Sequence, residues 1–211
     1  MDTPKVPAEI NCKCGKCGIT LADGKAKHQF KCGCQDCRQA LNWGYAKGGV
    51  KSDPLAKVYY MPSDIIDVRG KEFMQSFQLR KDDPDLLGMS RRIYCTECYS
   101  IIGVDHPAYE DNVFLNFPKH CENKGDLSVP LTAYVMMIDY TEEIGPMPTE
   151  DVPLFTNPCG KAFGQNYWTA PDCDTYDGVR LGRQKYQRWN SFVGKTEWAK
   201  GVSAYAKKNP K

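Results

Sequence analysis

Cys32-Gly33-Cys34-Gln35-Asp36-Cys37-Arg38 places three thiols within six residues. Twenty residues upstream, Cys12-Lys13-Cys14-Gly15-Lys16-Cys17 repeats the spacing, and Cys95-Thr96-Glu97-Cys98 adds a single knuckle. The pattern is C-x-C-x2-C twice, then C-x2-C, drawn from 11 cysteines in 211 residues. Cysteines this close in sequence hardly pair with each other without strain, but they converge readily on one metal ion. Secreted disulfide frameworks use wider and more even spacings. Metal binding is therefore the expected use of the clusters.

The chain is long enough for one substantial core or one core with an appendage. Its net charge is only +2, so no basic excess points to nucleic acid and no acidic block to a solvating tail. Met1 to Ile10 is short and polar, with Pro4 and Pro7, and no apolar run approaches membrane-spanning length. The expectation is a cytoplasmic protein without a membrane partner, a nuclear location being left open.

In chain order, residues 1–11 read as a loose arm. Gly18 to Leu21 reads as a strand that turns at Asp23-Gly24 in a hairpin leading to Phe30 and Cys32. Arg38 to Gly49 reads as a short helical turn and a loop. Val58 to Met61, Ile65 to Val68, Phe73 to Leu79, Arg92 to Tyr94, Ile101 to Val104, Val113 to Phe117 and Ala133 to Ile138 read as strands. The alternation of Phe73, Gln75, Phe77 and Leu79 suggests half-burial, and Lys81 to Ser90 a polar loop. Short strands with Gly and Pro punctuation predict a mainly β fold. Glu142 to Pro158 is Pro-rich and reads as a linker or surface strap. From Arg183, the spacing of Tyr186, Trp189 and Val193, then Trp198, Val202 and Tyr205, predicts one or two helices, giving a zinc-binding domain over 1–144 and a partly helical extension over 145–211.

In extended backbone, residues i and i+2 of a C-x-C face the same side, and a C-x2-C knuckle gathers two thiolates at a tight turn. Cys12 and Cys14 with Cys95 and Cys98 thus fit a closed four-thiolate structural zinc, clamping the N-terminal segment to a distant turn. Cys32, Cys34 and Cys37 supply three thiolates and leave a fourth position for water, a thiol or a carbonyl oxygen. Cys17 is a fourth thiolate for this second site or a free thiol, and the twenty-residue offset of the triplets leaves other pairings open.

These motifs resemble the glutathione-dependent formaldehyde-activating enzyme family, which includes centromere protein V. The matching stretches are Cys12-Lys13-Cys14, Cys32 to Arg38, and Arg92-Ile93-Tyr94-Cys95-Thr96-Glu97-Cys98-Tyr99-Ser100, with Met61-Pro62 and Val68-Arg69-Gly70 between them. The resemblance spans residues 10–140. It implies an Mss4-like zinc-binding β fold, two zincs per chain, a structural ion on Cys12, Cys14, Cys95 and Cys98, and a second ion with catalytic potential on Cys32, Cys34 and Cys37. It also implies glutathione as a co-substrate and the addition of its thiol to formaldehyde, or the reverse carbon–sulfur cleavage. The chain departs from the family pattern at Tyr99, where Gly is usual, at the additional Cys17, and over 145–211.

The histidines are His28, His106 and His120: His28 is a candidate base or fourth ligand, with a surface or hydrogen-bonded residue as its simpler reading, and His106, before Pro107, has a turn role as its simpler reading and a place facing the pocket as the other. Arg38 and Arg92 flank the cysteine clusters, either supporting the ligands or binding an anionic substrate. Cys121, Cys159 and Cys173 read as core or free thiols, and Asp172, Asp174, Tyr176 and Asp177 as a solvated acidic turn. Two functions compete. One is a zinc-dependent carbon–sulfur lyase or transferase acting on a small-molecule thiol adduct, a carbonyl compound or a larger metabolite. The other is a non-enzymatic zinc scaffold for protein or nucleic acid, for which Lys207 and Lys208 supply little basic surface. Iron–sulfur ligation stands behind both.

Overall fold

The computed structural model describes residues 5–80, 90–105, 113–149, 151–155 and 196–200; the last group is described by its backbone. Its first sheet has four antiparallel strands. β1 (Ala8–Cys12) is flanked by β2 (Gly18–Leu21) and by the later strand Cys121–Lys124, and β5 (Ile65–Arg69) lies beyond β2.

The second sheet has eight strands. Besides β3 (His28–Cys32), β4 (Ala56–Pro62), β6 (Met74–Arg80), β7 (Arg91–Cys95), β8 (Ile101–Asp105) and β9 (Val113–Asn116), it contains β11 (Leu131–Val135) and β12 (Thr196–Lys200), the Cys121–Lys124 strand being β10. Its order is β11-β3-β4-β9-β8-β7-β6-β12. The outer pairs β11/β3 and β12/β6 are parallel and the rest antiparallel.

Alternation along the strands of the larger sheet builds two cores. Tyr59, Met61, Met74, Ile93, Cys95 and Ile102 face Ile10, Ile19 and Leu21 of the smaller sheet. Val58, Tyr60, Phe77, Tyr94, Ile101 and Val104 face the opposite way, onto Ala40 and Leu41. Those two belong to α1 (Gln35–Ala46), whose buried residues are Ala40, Leu41 and Gly44. The larger sheet is thus covered on both faces, which explains why β6 is not half-buried: Met74 and Ser76 bury one side, Phe77 and Leu79 the other. Phe73 lies in the 3-10 turn before the strand.

Four further sequence expectations are corrected. Residues 8–12 are not a loose arm but an inner strand paired on both edges. Gly18–Leu21 and His28–Cys32 are not a hairpin, because β2 joins the small sheet and β3 the large one. Arg38 to Ala46 is not a short turn but most of a three-turn helix, held at its start by Cys34 and ending at Lys47. Trp198 lies in a strand, not a helix: the open edge of β6 offers a pairing partner to Thr196–Lys200, and Gly194 and Gly201 bracket that segment. The remainder of the expected C-terminal helices, and most of the polar loop at 81–90, lie outside the described residues.

Residues 151–155 of the Pro-rich segment run along β11 and the turn that follows it. Tyr134 N–H donates to Pro153 O at 2.8 Å, Phe155 N–H to Tyr134 O at 2.8 Å, and Met137 N–H to Phe155 O at 3.0 Å. Leu154 and Val152 pack on Tyr134, Met137 and Tyr140. Among the described residues no helix is long and apolar enough to cross a membrane.

Candidate metal centres

The first centre forms where the two sheets meet. Cys12 ends β1 and Cys95 ends β7. A tight turn follows each: Gly15 N–H donates to Cys12 O at 3.0 Å, and Tyr99 N–H to Cys95 O at 2.9 Å. The loops are tied together by Lys13 N–H donating to Ser100 Oγ at 2.9 Å. Below them, Gly70 at φ 65° lies so close to the first loop that a β-carbon would sit 2.0 Å from Lys16 O.

These turns gather Cys12, Cys14, Cys95 and Cys98, with all four sulfurs within 4.8 Å of one another. The Cys12–Cys14 and Cys14–Cys95 separations are 3.5 and 3.7 Å. Sulfurs about 2.3 Å from a tetrahedral zinc stand roughly 3.8 Å apart, so the spacing fits. Burial, then the charges of Cys98 and Cys12, push the Cys95 thiol up to about 12. Burial also opposes ionisation of Cys98, but the Ser100 hydroxyl and backbone N–H outweigh it and bring that thiol down to about 7. One thiol ready to ionise beside one that resists it is what a crowded set shows without a cation, and a divalent ion favours all the thiolates together.

The second centre sits on the other face of the large sheet. Cys32 ends β3, Cys34 caps α1 with its Sγ accepting from Cys37 N–H at 3.1 Å, and Cys37 lies in the first helical turn. Their sulfurs lie within 4.8 Å of one another, and Cys32–Cys37 is 3.8 Å, again the tetrahedral edge. Gly33 lets the loop lie flat on the 3-10 turn after β11: a β-carbon there would meet Tyr140 Cβ at 3.0 Å and Met137 Sδ at 3.1 Å. Arg38 donates to Gly33 O and, at 2.7 Å, to Asp139 O, while Asp139 accepts from Gln35 N–H at 3.3 Å. Arg38 therefore supports the loop, the simpler of its two expected roles.

The three thiols hold one another protonated. Cys34 raises Cys32, and Cys32 raises Cys37, with burial adding to both; the Arg92 guanidinium works the other way on Cys37. Arg92 lies opposite Phe77 and Val104, on the core face shared with this loop, and is only 2% exposed. An aromatic group continues that face: Trp43 stacks on Phe77 at 4.0 Å and meets Tyr94 and Tyr99 edge-on at 5.0 and 6.0 Å. Sequence reasoning missed this group and Asp139. Trp43 follows Cys34 on one helix, so the helix period was the available signal for it; nothing local marks Asp139, which reaches the loop from a turn a hundred residues away.

The other candidates fall elsewhere. Cys17 belongs beside the first centre: its N–H donates to Cys12 Sγ at 3.3 Å and its thiol points at Phe73 O, 4.0 Å away. It does not join the Cys32 group. Burial and the charges of Cys95 and Cys12 keep the Cys17 thiol protonated. His28 stacks on Phe30 four residues before Cys32, about 13 Å up the strand, so it is not brought to the sulfurs. Cys121 donates to Ile101 O at 3.2 Å and is a core thiol. His120 is buried in a 3-10 turn before β10. His106, Cys159, Cys173, Asp172, Asp174, Tyr176 and Asp177 lie outside the described residues. No protein-family model and no curated protein matches the chain.

Proposed function

We propose that the chain is a two-zinc enzyme of carbon–sulfur chemistry: the Cys12 centre holds the sheets together and the Cys32 centre works on a thiol and a carbonyl compound. One observation carries this. Among the described residues the first centre gathers four cysteine sulfurs and the second only three. Three protein ligands and a free position distinguish reactive zinc sites from closed ones. A zinc ion in the second site supplies a lowered pKa to a thiol or water that it binds.

The remaining parts are protein. Cys32, Cys34 and Cys37 are fixed by a strand end and a helix start, and Arg38 and Asp139 hold the loop between them. Burial on the Phe77, Tyr94 and Leu115 core limits water at two of the three sulfurs. In the forward reaction the thiol sulfur bonds to the carbonyl carbon, the carbon–oxygen π bond opens, and the thiol proton ends on that oxygen. The reverse breaks the same carbon–sulfur bond. The family resemblance supports glutathione and formaldehyde as the pair to test first, with larger thiol adducts as the next class.

NMR exchange measurements of glutathione with formaldehyde provide the test. The zinc-loaded protein is expected to raise the exchange rate above the uncatalysed one, and Cys37→Ser to abolish the gain while leaving the first centre loaded. No acceleration with any thiol–aldehyde pair would leave the scaffold reading. The net charge of only +2 does not favour the nucleic-acid form of that alternative.

A further inference from the structure

Lys47 caps the far end of α1, away from the cysteines, and is exposed. Its ammonium lies over two rings at once, 5.4 Å from the Trp43 centroid and 5.7 Å from that of Tyr99. It forms no salt bridge among the described residues. The two rings are only partly buried, and they stand at 77° to each other with centroids 6.0 Å apart, which makes a corner. Both walls are backed: Trp43 stacks on the buried Phe77 and Tyr99 on the buried Tyr94. The backbone locks the walls together. A β-carbon at Gly44 would lie 3.2 Å from Tyr99 O and one at Gly49 2.8 Å, so the end of α1 seats directly on the Tyr99 turn. Tyr99 presents its ring from a left-handed backbone, φ 51°. That conformation is costly for a residue with a β-carbon, and such residues gather at ligand clamps.

We infer that the Trp43–Tyr99 corner is a binding site for a methylated ammonium head, and that the Lys47 ammonium occupies it as a displaceable stand-in. The site is independent of the chemistry proposed for the Cys32 centre. Ring faces attract cations. A right-angled corner offers a round head two faces at once, whereas a planar guanidinium stacks on only one. The lysine ammonium is strongly hydrated and stays in water at the mouth of the corner. A trimethylammonium head has no N–H to satisfy and sheds its water more easily, so it gains more from the same rings. A surface lysine resting on two rings is the simpler account. In that case the corner would not prefer a free cation to a neutral molecule of the same shape.

An NMR titration of the zinc-loaded full-length protein separates these cases, read at the Trp43 indole N–H, which Trp43→Phe identifies. The probes are choline, a neutral alcohol with a tert-butyl group in place of its head, and a peptide bearing trimethyllysine. Choline is expected to shift the signal saturably and the neutral alcohol to bind at least about fivefold more weakly. Lys47→Gln, which empties the corner, is expected to tighten choline binding about two- to fivefold. Lys51→Gln removes a charge four residues on and is expected to leave the affinity unchanged, which separates vacating the corner from a general change of charge. Tyr99→Gly takes away one wall while relaxing the turn, and is expected to lose the binding. Tighter binding of the peptide than of choline would assign the head to a protein side chain, and the reverse to a small molecule; either supports the site. Equal affinities for choline and the neutral alcohol, or no saturable shift in both wild type and Lys47→Gln, would overturn it. Unchanged choline affinity in Lys47→Gln would overturn the role of Lys47.

Discussion

Tyr99 stacks on Tyr94 with ring centroids 5.9 Å apart and 11° between planes, and it does so from a left-handed backbone at φ 51°. The position closes the Cys95–Cys98 turn, where glycine is the relaxed choice. The tyrosine there supplies a ring, which also meets Trp43 edge-on and lies under the Lys47 ammonium at 5.7 Å. Through this ring the knuckle of the first centre touches the helix that carries the second.

Replacing Tyr99 separates strain from stacking. Tyr99→Ala is expected to destabilise more than Tyr99→Gly by about 1 kcal/mol, the left-handed penalty of a β-carbon. Both lose ring contacts of about 0.5–1.5 kcal/mol each, so neither reaches wild-type stability. Denaturant unfolding of the zinc-loaded variants measures both differences.

The two centres should differ in what their loss does to the fold. Cys95→Ser removes a ligand from the junction of the two sheets, whereas Cys37→Ser opens a site held within one sheet and its helix. The first is expected to lose one zinc and about 4 kcal/mol or more, close to 10 °C in Tm. The second is expected to lose the other zinc with a clearly smaller shift. Zinc counted on each variant beside its melting curve gives the comparison.

Cys17 is expected to be dispensable for metal. Cys17→Ala should keep two zincs per chain and cost about 1 kcal/mol from a small cavity. Loss of one zinc in this variant would place Cys17 among the ligands.

The cysteine spacing made both clusters legible, because a C-x-C or a C-x2-C gathers its sulfurs through local backbone alone. The strands from Val58 to Val104 were legible for the same reason: their alternation is local. What escaped was decided at a distance. Ala8–Cys12 has no strand signal beyond its length, and it is ordered by two partners, one of them more than a hundred residues away. Turn chemistry at Asp23-Gly24 suggested a hairpin, but the next strand finds its partners in β4 and β11. The helix after Cys37 carries Trp43, Gly44 and Tyr45, poor helix formers, and is stabilised by burying Ala40, Leu41 and Gly44 on the sheet.

His120 gives the fold a pH dependence of its own. It is 2% exposed with neither ring nitrogen partnered among the described residues, and burial, then the charges of Lys119 and Lys13, lower its pKa to about 4. Below the ordinary value of 6.5 the unfolded chain takes up a proton that the folded chain refuses. Stability from this group is complete above about 6.5 and is lost as the pH falls towards 4, by about 3 kcal/mol at most. The thiolate centres add acid sensitivity of the same sign, so the stability difference between wild type and His120→Leu isolates the histidine. That difference is expected to change across this window and to be flat from pH 7 to 8.

Zinc K-edge X-ray absorption on metal-replete protein, with zinc counted on the same sample, tests the open second centre most directly. Two zincs per chain with about half an oxygen or nitrogen ligand per zinc, the rest sulfur near 2.3 Å, is the expected result. Four sulfurs at both zincs, or a single zinc per chain, would contradict it.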